Sequence, residues 1–85
     1  MLARVRMEVT VPRNSIVELA RVRRLTRTGE ARRIRLRYGL SLTEIANAVG
    51  VSPGAISRWE HGQRRPTGDH ALVYADLLDQ LEREV

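Results

Sequence analysis

Apolar and polar residues alternate at the front of the chain, with Val5, Met7, Val9 and Val11 on one side and Arg4, Arg6, Glu8 and Thr10 on the other. This two-residue period predicts a short β-strand from Arg4 to Val11 that Pro12 ends. Past Pro12 the period becomes helical. Ser15 with Glu18 three residues later reads as a capping box ahead of Ile16, Leu19 and Ala20, so a helix is expected over about Ser15 to Leu25. Thr28, Gly29 and Glu30 then break the pattern. Ala31, Ile34 and Tyr38 share one face of a second helix, which Gly39 stops. Ser41 is placed to cap a third helix, Leu42 to Val49, with Glu44 near its positive end and Gly50 just past its last residue. Ser52 caps a fourth, with Pro53 at the first helical position where no amide partner is needed, and Gly62 ends it. After a basic turn, Gln63 to Pro66, Thr67 begins a last helix. There Ala71, Leu72, Ala75, Leu78 and Leu81 form the apolar stripe and Asp76, Asp79, Glu82 and Arg83 the wet face.

A chain of 85 residues, 42% of them hydrophobic, has material for one modest core and no second one. The expected architecture is an all-α bundle of about five helices, preceded by the short strand. The chain contains no cysteine, which excludes disulfides and thiolate metal sites and makes the cytoplasm the expected compartment. No apolar run approaches the roughly 20 residues that span a bilayer, so no membrane partner is expected.

Charge is distributed unevenly. Residues 1–40 hold eleven Arg against Glu8, Glu18 and Glu30, whereas the last nineteen carry Asp69, Asp76, Asp79, Glu82 and Glu84 against Arg83 alone. A basic front with an acidic tail suits a polyanionic partner. All fifteen basic residues are Arg, and a guanidinium grips phosphate or guanine with two parallel hydrogen bonds, which an ammonium does not.

The third and fourth helices are short and joined by a glycine turn, and their apolar residues are spaced to pack the pair at a steep angle. Ile45 and Val49 face inward from the first, Val51 plugs the turn, and Ile56 and Trp59 face inward from the second. Ala46 sits where the helices approach, and Gly50 where the chain must reverse through a left-handed conformation. Leu42-Thr-Glu-Ile-Ala46, Gly50-Val-Ser52, Ile56-Ser-Arg-Trp-Glu60, Gly62 and Pro66 together resemble the phage repressor and Cro superfamily, the XRE type, over about Ala31 to Leu78.

That resemblance implies a lambda-repressor-like helix-turn-helix bundle, with residues 1–27 as an N-terminal extension and 28–85 as the DNA-binding domain. It implies binding of double-stranded DNA, with the recognition helix, 53–61, in the major groove. Ser52, Pro53, Gly54, Ala55, Ser57 and Arg58 then occupy the base-facing positions, and Arg58 is the residue suited to clasp guanine O6 and N7. The short Gly54 and Ala55 offer shape or a thymine methyl contact. The phosphate contacts of the family fall here on Ser41, the Leu42 amide, Gln63, Arg64 and Arg65. An ion pair between Arg35 and Glu60 is implied as a structural element.

Trp59 falls at a core position, which favours packing over base stacking. His61 and His70 lack partners at ligand spacing, so neither a metal nor a cofactor is expected and both read as surface residues. No nucleophile, base and orienting group stand together, so the chain does not read as an enzyme. The arginines from Arg21 to Arg37 surround their helices, which solubility and DNA contact explain equally well.

The resulting expectation is a homodimeric transcriptional regulator, Cro-like, bacterial or phage-encoded, acting on a palindromic operator in the cytoplasm or nucleoid. Two alternatives stand beside it: an antitoxin that also binds a toxin through its acidic last helix or N-terminal segment, and a DNA-bending protein that directs recombination.

Overall fold

The computed structural model describes residues 14–84, and these form five helices: α1 (Ser15–Arg27), α2 (Glu30–Arg37), α3 (Leu42–Val49), α4 (Pro53–Glu60) and α5 (Gly68–Arg83). The strand expected over Arg4 to Val11 lies outside the described residues. Helix α1 starts differently from the expected Ser15–Glu18 box. Ser15 is already helical, and the cap is Asn14, whose Oδ1 accepts the Ile16 amide at 2.9 Å while its carbonyl accepts the Glu18 amide at 3.1 Å. Asn is as good an N-cap as Ser, so the choice between adjacent candidates falls to whichever holds extended backbone, and Asn14 does. The helix also runs to Arg27, beyond the expected Leu25, until Thr28 and the left-handed Gly29 turn the chain.

One core joins all five helices. It comprises Val22 and Leu25 of α1, Ala31 and Ile34 of α2, Ile45, Ala46 and Val49 of α3, Ile56 and Trp59 of α4, and Ala71, Tyr74, Ala75 and Leu78 of α5. Each fully buried Ile or Leu contributes about 1.5–3 kcal/mol relative to exposure. The four core alanines, Ala31, Ala46, Ala71 and Ala75, have no exposed surface, which marks the places where helices approach most closely. On α5 the buried face is 71, 74, 75 and 78, the i, i+3, i+4, i+7 series. The expected stripe is therefore rotated: Leu72 and Leu81 are half-buried, and Tyr74 takes the central place. The Tyr74 ring lies 5.3 Å from that of Trp59, tilted by 31°, and this contact locks α5 onto α4.

Helix α1 runs antiparallel to α5. Near its middle, Arg21 reaches the Ala75 carbonyl and Asp79; two residues on, Arg23 Nε donates to the Pro66 carbonyl, ahead of α5, at 2.9 Å. Asp79, expected on the wet face, is instead largely covered and lies between Arg21 at 3.4 Å and Arg83 at 3.6 Å. The N-terminal arginines are thus not one solvated set, since Arg21, Arg33, Arg35 and Arg37 each meet a carboxylate.

Arg35 and Glu60 form a two-pronged pair, Nε to Oε2 at 2.7 Å and Nη2 to Oε1 at 3.0 Å, with the side chains 11% and 1% exposed. Arg35 Nη1 also donates to the Leu40 carbonyl at 3.0 Å, so the guanidinium joins α2, the following loop and α4. The hydrogen-bonded Glu60 carboxylate raises the Arg35 pKa above its ordinary value, outweighing burial. Removing one partner leaves the other charge buried and unpaired, which costs about 3–5 kcal/mol. Arg35→Met or Glu60→Gln is accordingly expected to lower unfolding free energy by about that amount in urea titrations, and the double replacement to lower it by less than the two single losses combined.

Tyr74 supplies a pH-dependent counterpart. Its hydroxyl is buried with no hydrogen-bond partner among the described residues, and burial, reinforced by the nearby Glu60 carboxylate, pushes its pKa well above the ordinary value near 10. The folded chain therefore keeps this proton to higher pH than the unfolded chain does. Its contribution is fully present below about pH 10 and is lost as pH rises above that. Tyr74→Phe, which also removes the orphan hydroxyl, is expected to match or exceed the wild type in stability at neutral pH and to show a smaller alkaline loss, read from melting temperatures across a pH series.

Candidate nucleic-acid interface

Helix α3 opens on a closed capping box: Ser41 Oγ accepts the Glu44 amide at 3.0 Å, and Glu44 Oε1 accepts the Ser41 amide at 2.8 Å. Because the Ile45 amide is bound by the Ser41 carbonyl, the Leu42 amide at the helix start stays outside the helical ladder, as first-turn amides do. The turn out of α3 depends on Gly50, whose φ of 93° is left-handed, and on the Ala46 carbonyl, which accepts both Gly50 at 2.7 Å and Val51 at 3.1 Å. Val51 is half-buried in that turn. Ser52 then caps α4, its Oγ accepting the Ala55 amide at 3.1 Å, with Pro53 in the first turn.

The turn has a brace that the sequence alone did not indicate. His70 of α5 donates its Nδ1 proton to the Val49 carbonyl at 3.2 Å, closing one of the open carbonyls at the end of α3. Its ring lies 3.4 Å from where a Cβ on Gly50 would stand. The only available signal was the type of residue at 70, and its target is fixed by how α5 crosses the α3 end.

Ile56, Trp59 and Glu60 point inward from α4, and Gly54, Ser57, Arg58 and His61 follow the opposite face at three- and four-residue spacing. Ser52, Pro53, Gly54 and Arg58 are exposed, while Ala55 and Ser57 are half-buried at the edges of that face. Arg58 does not extend straight outward. A Cβ built on Gly54 would lie 3.3 Å from Arg58 Nη1, so the guanidinium folds back over the first turn of α4 and lies close to Gly54. His61, read from sequence as an isolated surface residue, continues the same face, its Nδ1 bound to the Ser57 carbonyl at 2.8 Å. Helical register was the signal for it.

Gln63, Arg64 and Arg65 follow α4 as an exposed turn, anchored by Gln63 N to the Arg58 carbonyl at 2.9 Å and by the buried Pro66. Between Ile45 and Arg65 the one carboxylate is Glu60. Its burial against Arg35 leaves Arg58, Arg64 and Arg65 as the formal charges this segment presents outward. Among the described residues no three of His, Cys, Asp or Glu cluster as a metal ion would require, and no helix is long and apolar enough to cross a membrane.

The profile of a family described as helix-turn-helix matches residues 32–84, from the first turn of α2 through the end of α5. No curated protein and no solved structure matches the chain. Helix α1 lies ahead of the matched region.

A side chain at Gly50 meets two obstacles, the left-handed backbone and the His70 ring. Gly50→Ala is expected to destabilise the fold by about 1–2 kcal/mol, the cost of holding an L-residue in that conformation, with no comparable loss for Gly54→Ala, whose backbone is not left-handed. Chemical denaturation of the two variants side by side checks this.

Proposed function

The chain belongs to the helix-turn-helix family of the repressor/Cro, XRE type, a family of DNA-binding regulators, and we propose that it reads a specific duplex sequence through α4. The carrying observation is the outward face of α4, where Arg58 folds over Gly54 and the segment's only carboxylate is buried and neutralised. A face of this kind meets the negative potential of the major groove without a repelling charge of its own.

Arg58 takes the role of base reader, its planar fork matching guanine O6 and N7. Ser52, Pro53, Gly54, Ala55 and Ser57 make the remaining groove contacts, mostly through shape and the thymine methyl. Ser41, the Leu42 amide, Gln63, Arg64 and Arg65 hold backbone phosphates on either side and set the register. With one strong base reader per chain, specificity is completed by a second copy on a palindromic site, with half-sites about 34 Å apart. Occupying such a site blocks or positions polymerase in the manner of a Cro-like regulator.

Selection of bound duplexes from a random pool tests the assignment. Arg58→Ala is expected to lose preference at one base pair, worth about 1–3 kcal/mol, whereas Arg64→Ala weakens binding evenly across sequences. An Arg58→Ala variant that keeps the full wild-type preference contradicts the base-reading role.

A further inference from the structure

The C-terminal half of α1 and the turn after α4 enclose a cleft of about 140 Å³ lined by Arg23, Thr26, Arg27, Gly62, Arg64 and Arg65. Four of its six lining residues are arginines and none is a carboxylate. Among the described residues, five arginines elsewhere, Arg21, Arg33, Arg35, Arg37 and Arg83, are paired with acids. Here it does not. Arg23 uses Nε on the Pro66 carbonyl, which leaves both terminal nitrogens, and the Thr26 hydroxyl is already bound to the Arg23 carbonyl at 3.0 Å. Arg27, Arg64 and Arg65 are exposed and sit against one another's charge. A cleft lined by a single sign of charge focuses its field on an incoming counter-ion. Its volume is well below the roughly 300–1,000 Å³ of pockets that enclose whole small molecules, which suits one phosphate group.

We propose that this cleft takes a phosphodiester of the DNA backbone, so that α1 clamps the duplex alongside the turn that follows the recognition helix. The proposal rests on the duplex-binding reading given above. One wall, Arg64 and Arg65, is the turn assigned to phosphate there; the other, Arg23 and Arg27, belongs to a helix ahead of the matched residues 32–84, so the family match does not account for these two contacts. The antiparallel packing of α1 on α5 is what delivers them. It brings the C-terminal end of α1 to the start of α5, where the turn arrives.

The test is binding of the full chain to a mixed-sequence duplex, followed by fluorescence anisotropy across a salt series, because backbone contacts are independent of base sequence. Arg27→Gln and Arg27→Glu are compared with Arg83→Gln, which removes one charge at the far end of α5. The Arg27 side chain is exposed, so these variants are expected to melt like the wild type. Expected for Arg27→Gln is a slope of log affinity against log salt shallower by about 0.9, the value for one phosphate, with weaker binding still for Arg27→Glu and the wild-type slope for Arg83→Gln. Unchanged slopes in both Arg27 variants, or equal losses for Arg27→Gln and Arg83→Gln, overturn the cleft while leaving the duplex reading intact. A wild type that binds no duplex overturns both. Inorganic phosphate that raises the melting temperature of the wild type but not of Arg27→Gln, with the salt slopes equal, assigns the cleft to a free anion and overturns the DNA assignment.

Discussion

Glu60 ends α4, the helix proposed to enter the groove, and in that role an exposed carboxylate there would repel the phosphates on both sides. Burying a lone carboxylate instead costs several kcal/mol. Arg35 resolves the conflict by meeting both oxygens at 2.7 and 3.0 Å and closing its remaining nitrogen on the Leu40 carbonyl. The same three bonds fix α4 against α2 and the loop into α3, so the orientation of α4 and the sign of its outward charge have one cause. Tyr74, whose ring meets that of Trp59, lies close enough to the pair to feel both charges.

Helix α5 is the second organising element. Through Tyr74 it holds α4, through His70 it closes the end of α3 beside the Gly50 turn, and through Asp79 it receives Arg21 of α1. Its acidity is therefore not only a solvated face. Asp79 and Glu82 take up arginines of α1 and α2 that would otherwise add to the positive surface. Arg58, Arg64 and Arg65, on α4 and the turn after it, have no carboxylate partner among the described residues.

The α3–turn–α4 unit was legible in the sequence because its signals act over a few residues. Ser41 with Glu44, Gly50, and Ser52 with Pro53 each determine a cap or a turn through contacts within four positions, and the 3.6-residue period marks Ile45, Ala46, Val49, Ile56 and Trp59 as inward-facing. The bond from Arg35 to Glu60 spans 25 residues, and no period or spacing shows it; its expectation came from the family resemblance alone. At the start of α1 the residue spacing points to Ser15 as the cap, whereas the extended backbone falls on Asn14, a residue of similar capping strength.

By itself, then, the sequence determined the helices, the caps of α3 and α4, most of the buried positions and the chemistry available on the outward face of α4, since these follow from local geometry and side-chain type. The tertiary structure decided which of the many arginines are neutralised and which stay free, that Tyr74 displaces Leu72 at the centre of α5, that His70 braces Gly50, and that Arg23 and Arg27 face Arg64 and Arg65 across a cleft. Those outcomes depend on the crossing angle and register of helices distant in the chain. Side-chain periodicity specifies a face of each helix but not the partner it meets.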